Sequence, residues 1–156
     1  MNPTLSPCIG VCSTGIGDSV CRGCKRYMHE IVNWNAYSVD EKRAILSRID
    51  QLLTQVVQPK VTIVDENTLK TQLDAQKLRY NPEGKPYAWV FALLKAGATQ
   101  IQTLNEFGCR VLPEYEGLSL AELRDKIDED FYVLSSVHHQ RYFEISAHHD
   151  QGEESK

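Results

Sequence analysis

Apolar positions recur at helical spacing through "SVDEKRAILSRIDQLLTQVV", residues 38–57, where Ile45, Ile49, Leu52, Leu53 and Val56 form one stripe. Ser38 followed by Glu41 makes a capping box at its start, so the spacing predicts a helix there. Just upstream, "YMHEIVNW" sets Met28, Ile31, Val32 and Trp34 on one side of a shorter helix. Pro59 cannot continue the longer helix and marks a boundary. Beyond it "VTIV" reads as a strand and "DENTLKTQLDAQKL" as a helix with Leu69 and Leu73 one turn apart, and "NPEGKP" is a turn. "PYAWVFALLKAG" is almost wholly apolar, with Pro86 where a first turn tolerates it and Gly97 where a helix stops, and predicts a buried helix. "IQTL" and "CRVLPEY" read as strands around "NEFG". "LSLAELRDKI" opens on a second capping box, Ser119 with Glu122, and stripes Leu120, Leu123 and Ile127. The β-rich runs "FYVLSSV" and "RYFEI" read as strands around "HHQ".

Interspersed strands and helices predict an α+β fold in two parts. A helical N-terminal module of residues 1–57 precedes an α+β domain of residues 60–147, whose expected core includes Trp89, Phe91, Leu93, Leu94, Leu123 and Phe143. Residues 148–156 read as a polar tail.

The N-terminal module holds too few apolar residues to be stable alone, because domains below about 40 residues need a staple. Cysteines supply one. Four of the five lie between residues 8 and 24: Cys8 and Cys12 as C-x3-C, Cys21 and Cys24 as C-x2-C. Of the 156 residues 42% are hydrophobic and 24% charged, as in a globular protein. No apolar run approaches the ~20 residues of a membrane helix, and "MNPTLSPC" lacks the pattern of a signal peptide. The expectation is a cytoplasmic protein without a membrane partner. In that reducing compartment, clustered cysteines are metal ligands or catalytic thiols rather than disulfides. Structural zinc sites draw their ligands from two such short pairs. Gly10 and Gly23 lie inside the pairs and permit tight turns, while "STGIGDSV" between them is polar and holds two more glycines. The expectation is one four-cysteine metal centre on Cys8, Cys12, Cys21 and Cys24. A thioredoxin-like redox pair is the rival for "CRGC", but nothing strand-like precedes Cys21.

The run from "CIGVC" to "CRGCKR", with Glu30, Ile31 and Trp34 after it, resembles the small proteobacterial four-cysteine domain of unknown function labelled predicted Fe–S protein (YdhL-like). The matching positions are Cys8, Cys12, Cys21, Gly23, Cys24, Arg26, Glu30, Ile31 and Trp34, then Glu41 and Arg43. Tyr27 and His29 depart from the threonine and acid that family members often carry. The resemblance covers residues 6–55 and implies an iron–sulfur cluster. The residues themselves favour zinc, since redox clusters sit in apolar shells and the segment between the pairs is polar.

Charge divides along the same boundary. Residues 1–57 carry six basic against five acidic side chains, +1, which leaves −5 for the remainder of a chain of net charge −4. A nucleic-acid binder shows a basic face and a high pI, and here the pI is about 5.7. Only Arg22, Lys25 and Arg26, on the second cysteine pair, offer a basic interaction surface for a protein or RNA; their plainer role is to offset thiolate charge.

No catalytic motif occurs in the second part, and no catalytic residue is assigned. The pairs His138-His139 and His148-His149 read as surface residues, and Cys109 as a buried small residue. Three function classes remain: a non-enzymatic interaction module with a structural metal, an iron–sulfur redox or sensing protein, and an enzyme with a C-terminal site. The first is the preferred expectation, with a protein as the partner and RNA more weakly supported.

Overall fold

The computed structural model describes residues 6–10 and 12–154, with side chains as far as Phe143. Its elements, in chain order, are α1 (Met28–Val32), α2 (Val39–Val57), β1 (Val61–Ile63), α3 (Glu66–Ala75), α4 (Pro86–Gly97), β2 (Cys109–Val111) and α5 (Leu120–Glu154). The class is α+β: a helical assembly carrying one small antiparallel sheet.

Local sequence explains most of the helix starts. Ser38 Oγ accepts from the Glu41 N–H at 3.1 Å and Glu41 Oε1 accepts from the Ser38 N–H at 3.1 Å, which closes the capping box of α2. Asp65 caps α3 by accepting from the Thr68 N–H. Pro86 occupies the first turn of α4, where its missing N–H leaves nothing unsatisfied. In the sheet Val61 pairs with Val111, Thr62 with Arg110 and Ile63 with Cys109. Gly108 turns the chain into β2 at φ 71, and its carbonyl accepts from the N–H groups of Val64 and Asp65. A Cβ there would stand 2.5 Å from the Asp65 carbonyl oxygen, so glycine is required by space as well as by φ.

The buried stripes of α2, α4 and α5 meet in one hydrophobic cluster. Leu52, Leu53 and Val57 of α2 lie in it beside Trp89, Leu93 and Leu94 of α4 and Leu123, Ile127 and Phe131 of α5. Leu69 and Leu73 of α3 join them, so the helix that sequence pattern assigns to the N-terminal module is built into the same core as the residues beyond Pro59. Of the expected core, Trp89, Phe91, Leu93, Leu94 and Leu123 are in place, whereas Phe143 is 46% exposed on the part of α5 that runs past the cluster.

Three strand assignments need correction. "FYVLSSV" and "RYFEI" both belong to α5, which runs unbroken through "HHQ" between them. Burial shows why: Leu123, Ile127, Phe131 and Ser135 recur every four residues, so packing one helical face overrides the local β propensity. "IQTL" forms no strand; the Leu104 carbonyl instead accepts from the N–H groups of Phe107 and Cys109 and shapes a tight turn. The expected polar tail begins inside α5, whose backbone continues to Glu154.

Candidate metal centre

The second cysteine pair sits on a tight knuckle. Val20 and Tyr27 form an isolated antiparallel bridge, the Cys21 N–H donates to the Arg26 carbonyl at 3.0 Å, and the Lys25 N–H donates to the Cys21 carbonyl at 2.9 Å. Closing so short a loop puts Lys25 at φ 64, a left-handed conformation that is uncommon for a side chain other than glycine. The first pair lies on a looser loop, in which Gly10 takes φ 90 and its N–H donates to Cys8 Sγ at 3.4 Å. Cys12 Sγ and Thr14 Oγ1 are hydrogen-bonded at 2.9 Å. Buried Ser13 joins the two loops by accepting from the Arg22 N–H at 2.8 Å.

Burial separates the pairs: Cys8 and Cys12 are exposed, Cys21 and Cys24 buried. Burial pushes the Cys21 thiol up, but hydrogen bonds from the backbone of Cys24, Ser13 and Gly23 outweigh it and hold the thiol down at about 7. Burial raises the Cys24 thiol in spite of Arg26, whose Nε donates to Cys24 Sγ at 3.3 Å. Three of the four sulfurs have N–H donors directed at them, backbone groups at Cys8 and Cys21 and a guanidinium at Cys24, as thiolate ligands require. Among the described residues, no three His, Cys, Asp or Glu side chains converge as an ion site. Val11, between Cys8 and Cys12, lies outside them.

The basic cluster is not a common surface. Lys25 is 1% exposed, its Nζ bonded to the Arg22 carbonyl and, at 2.5 Å, to Asp128 Oδ1 of α5. Arg26 is also buried, bonded to Cys24 and Ser6 with its guanidinium 4.8 Å from the centroid of the Trp34 ring. Arg22 alone of the three is exposed; it pairs with Asp18 and lies 4.4 Å from the centroid of Tyr132 on α5. Each buried cation has its acceptors and an aromatic ring, which hold it in the protein rather than at the surface.

Glu30 and Arg48, which sequence pattern left unconnected, lock α1 to α2. Arg48 donates to both Glu30 oxygens, at 2.5 and 2.7 Å, and Glu30 Oε1 also accepts from the Tyr27 N–H. The Arg48 guanidinium lies 3.9 Å from the centroid of the Tyr27 ring, whose other neighbours include His139, edge-on at 4.7 Å. His138 is exposed on α5 and His139 half-buried. The side chains of His148 and His149 lie outside the described residues. Cys109 is buried in the core, its thiol pushed up to about 12 by burial, far from nucleophilic use.

Residues 6–53 match a family model described as a protein of unknown function (DUF1289), a segment that covers both cysteine loops, α1 and most of α2. Neither a curated protein nor a solved structure matches the chain. Among the described residues no helix is long and apolar enough to cross a membrane.

Proposed function

We propose that the chain is a cytoplasmic metal-binding protein in which Cys8, Cys12, Cys21 and Cys24 hold one metal, and that this centre is the structural element of an interaction module. The observation that carries the reading is the set of donors aimed at sulfur: the Gly10 N–H at Cys8, Arg26 Nε at Cys24, and the backbone groups that hold the Cys21 thiol at about 7. Such donors stabilise thiolates, the form in which cysteine ligates a metal. Zinc would supply a rigid tetrahedral junction between the two loops and no redox chemistry. With Lys25 and Arg26 buried, the exposed side chains of the cysteine loops include Ile9, Ile16 and Arg22. Two exposed isoleucines and a single exposed arginine suit a protein partner better than RNA.

The second reading is an iron–sulfur redox or sensing protein, favoured by the same N–H···S donors, which tune cluster potentials. Metal analysis after anaerobic, iron-supplemented purification separates the two. Colourless protein with about one zinc per chain is the expected result. Stoichiometric iron and sulfide, with a brown colour that dithionite bleaches, would replace zinc by the cluster. Cys21→Ser is expected to release the metal and expose residues 6–34 to protease, since ligation and folding of such a site are one equilibrium. Full metal content in that variant refutes the centre.

A further inference from the structure

On the side of α1 facing the later turns of α5 lies an open surface concavity of about 450 Å3. Tyr27, His29 and Glu30 line it from α1 and its cap, Arg48 from α2, and His138, Arg141 and Tyr142 from α5. Its charges do not cancel. Both oxygens of Glu30 are engaged by Arg48, which neutralises that pair. Arg141 remains, exposed, with no hydrogen-bond or ion-pair partner among the described residues. His138, Arg141 and Tyr142 stand at i, i+3 and i+4, so α5 presents a donor, a cation and a ring on one face. Opposite them the His29 ring lies within 15° of parallel to Tyr142, centroids 6.1 Å apart. Tyr27, edge-on to His139, adds a further aromatic surface.

A guanidinium without a partner among the described residues, on a pocket lined by flat rings, selects for two features at once. It attracts an anionic head in the fork geometry that suits phosphate and carboxylate, and the rings favour a planar apolar body. We propose that this concavity binds a small aromatic anion, a single ring bearing a phosphate or carboxylate. Arg141 and His138 take the head, while the ring packs against the edges of His29 and Tyr142. The site is separate from the four cysteines and does not depend on which metal they hold.

Phenyl phosphate is the probe, titrated into the full-length protein while the histidine ring resonances are followed by NMR. Saturable shifts at His29 and His138 are expected, with inorganic phosphate and phenol each binding about tenfold more weakly. Arg141→Ala is expected to weaken phenyl phosphate by about tenfold or more, and Tyr142→Ala to weaken it while Tyr142→Phe retains it. Both positions are exposed, and an unchanged thermal melt establishes that the variants fold. The proposal is overturned by the absence of saturable shifts, by equal affinity for inorganic phosphate or phenol, or by an Arg141→Ala protein that binds like the parent. Benzoate in a parallel titration distinguishes a carboxylate head from a phosphate head.

Discussion

Lys25 Nζ lies 2.5 Å from Asp128 Oδ1, a contact between residues 103 positions apart that fastens the cysteine knuckle to α5. Lys25 is almost wholly buried while Asp128 is 51% exposed, so the tie matters for what its loss leaves behind rather than for its Coulomb energy. Asp128→Ala leaves a buried ammonium with only carbonyl acceptors and is expected to cost about 1–2 kcal/mol. Urea denaturation measures it. A midpoint equal to that of the parent would mean that the knuckle does not rely on α5.

Removal of residues 1–59 tests whether the two parts predicted from sequence fold separately. Ile49, Leu52, Leu53, Val56 and Val57 of α2 are buried in the cluster that also holds α4 and α5, so a chain starting at Lys60 exposes the far side of that cluster. It is expected to lack a cooperative thermal transition and to aggregate. A soluble fragment with a sharp melt would establish an autonomous C-terminal domain.

Gly108→Ala is expected to destabilise by about 2 kcal/mol or more, because the left-handed φ and the 2.5 Å approach to the Asp65 carbonyl oppose a Cβ independently. The Asp65 carbonyl is backbone and has little room to move. Thermal melts of the two proteins, side by side, decide it; equal melting temperatures would show that the turn into β2 adapts.

Stability is expected to fall as the solution is acidified from about pH 7.5 to about 5.5, with His139 contributing to the loss. Burial lowers the His139 pKa, His29 and Arg48 lower it further, and Glu30 opposes them. The folded chain therefore binds this proton less readily than the unfolded chain, and acidification through the ordinary histidine value of about 6.5 favours unfolding. Below the depressed folded value both states are protonated and the contribution levels off. His139→Gln, compared with the parent by denaturant midpoints at both pH values, is expected to show a shallower dependence. An unchanged slope would remove His139 from the account.

What the sequence made legible was local. The capping boxes at Ser38 and Ser119, the buried helix after Pro86 and the strand at Val61 each depend on a few adjacent residues, and all are present. The middle of α5 was obscured by its own residues: "FYVLSSV" is rich in β formers, and Ser135 places a polar side chain at the buried position where an apolar one would have continued the stripe. Its hydroxyl has no hydrogen-bond partner among the described residues, so even the structure gives it no local reason. Cysteine spacing marked the candidate ligands, but the burial of Lys25 involves Asp128, 103 positions away and beyond any short window, while the contact of Arg26 with Trp34, eight residues on, depends on a fold that spacing does not specify.

Thirty-five residues of unbroken helix make α5 about 52 Å long. Along that one rod lie Leu123 in the core, Asp128 against the knuckle, and Tyr142 beside α1. Among the described residues no proline or glycine interrupts it before Gly152, so it contains no hinge to absorb a displacement. A load on Tyr142 is therefore carried toward the Lys25–Asp128 contact by continuous helix, with no proline or glycine kink between the two.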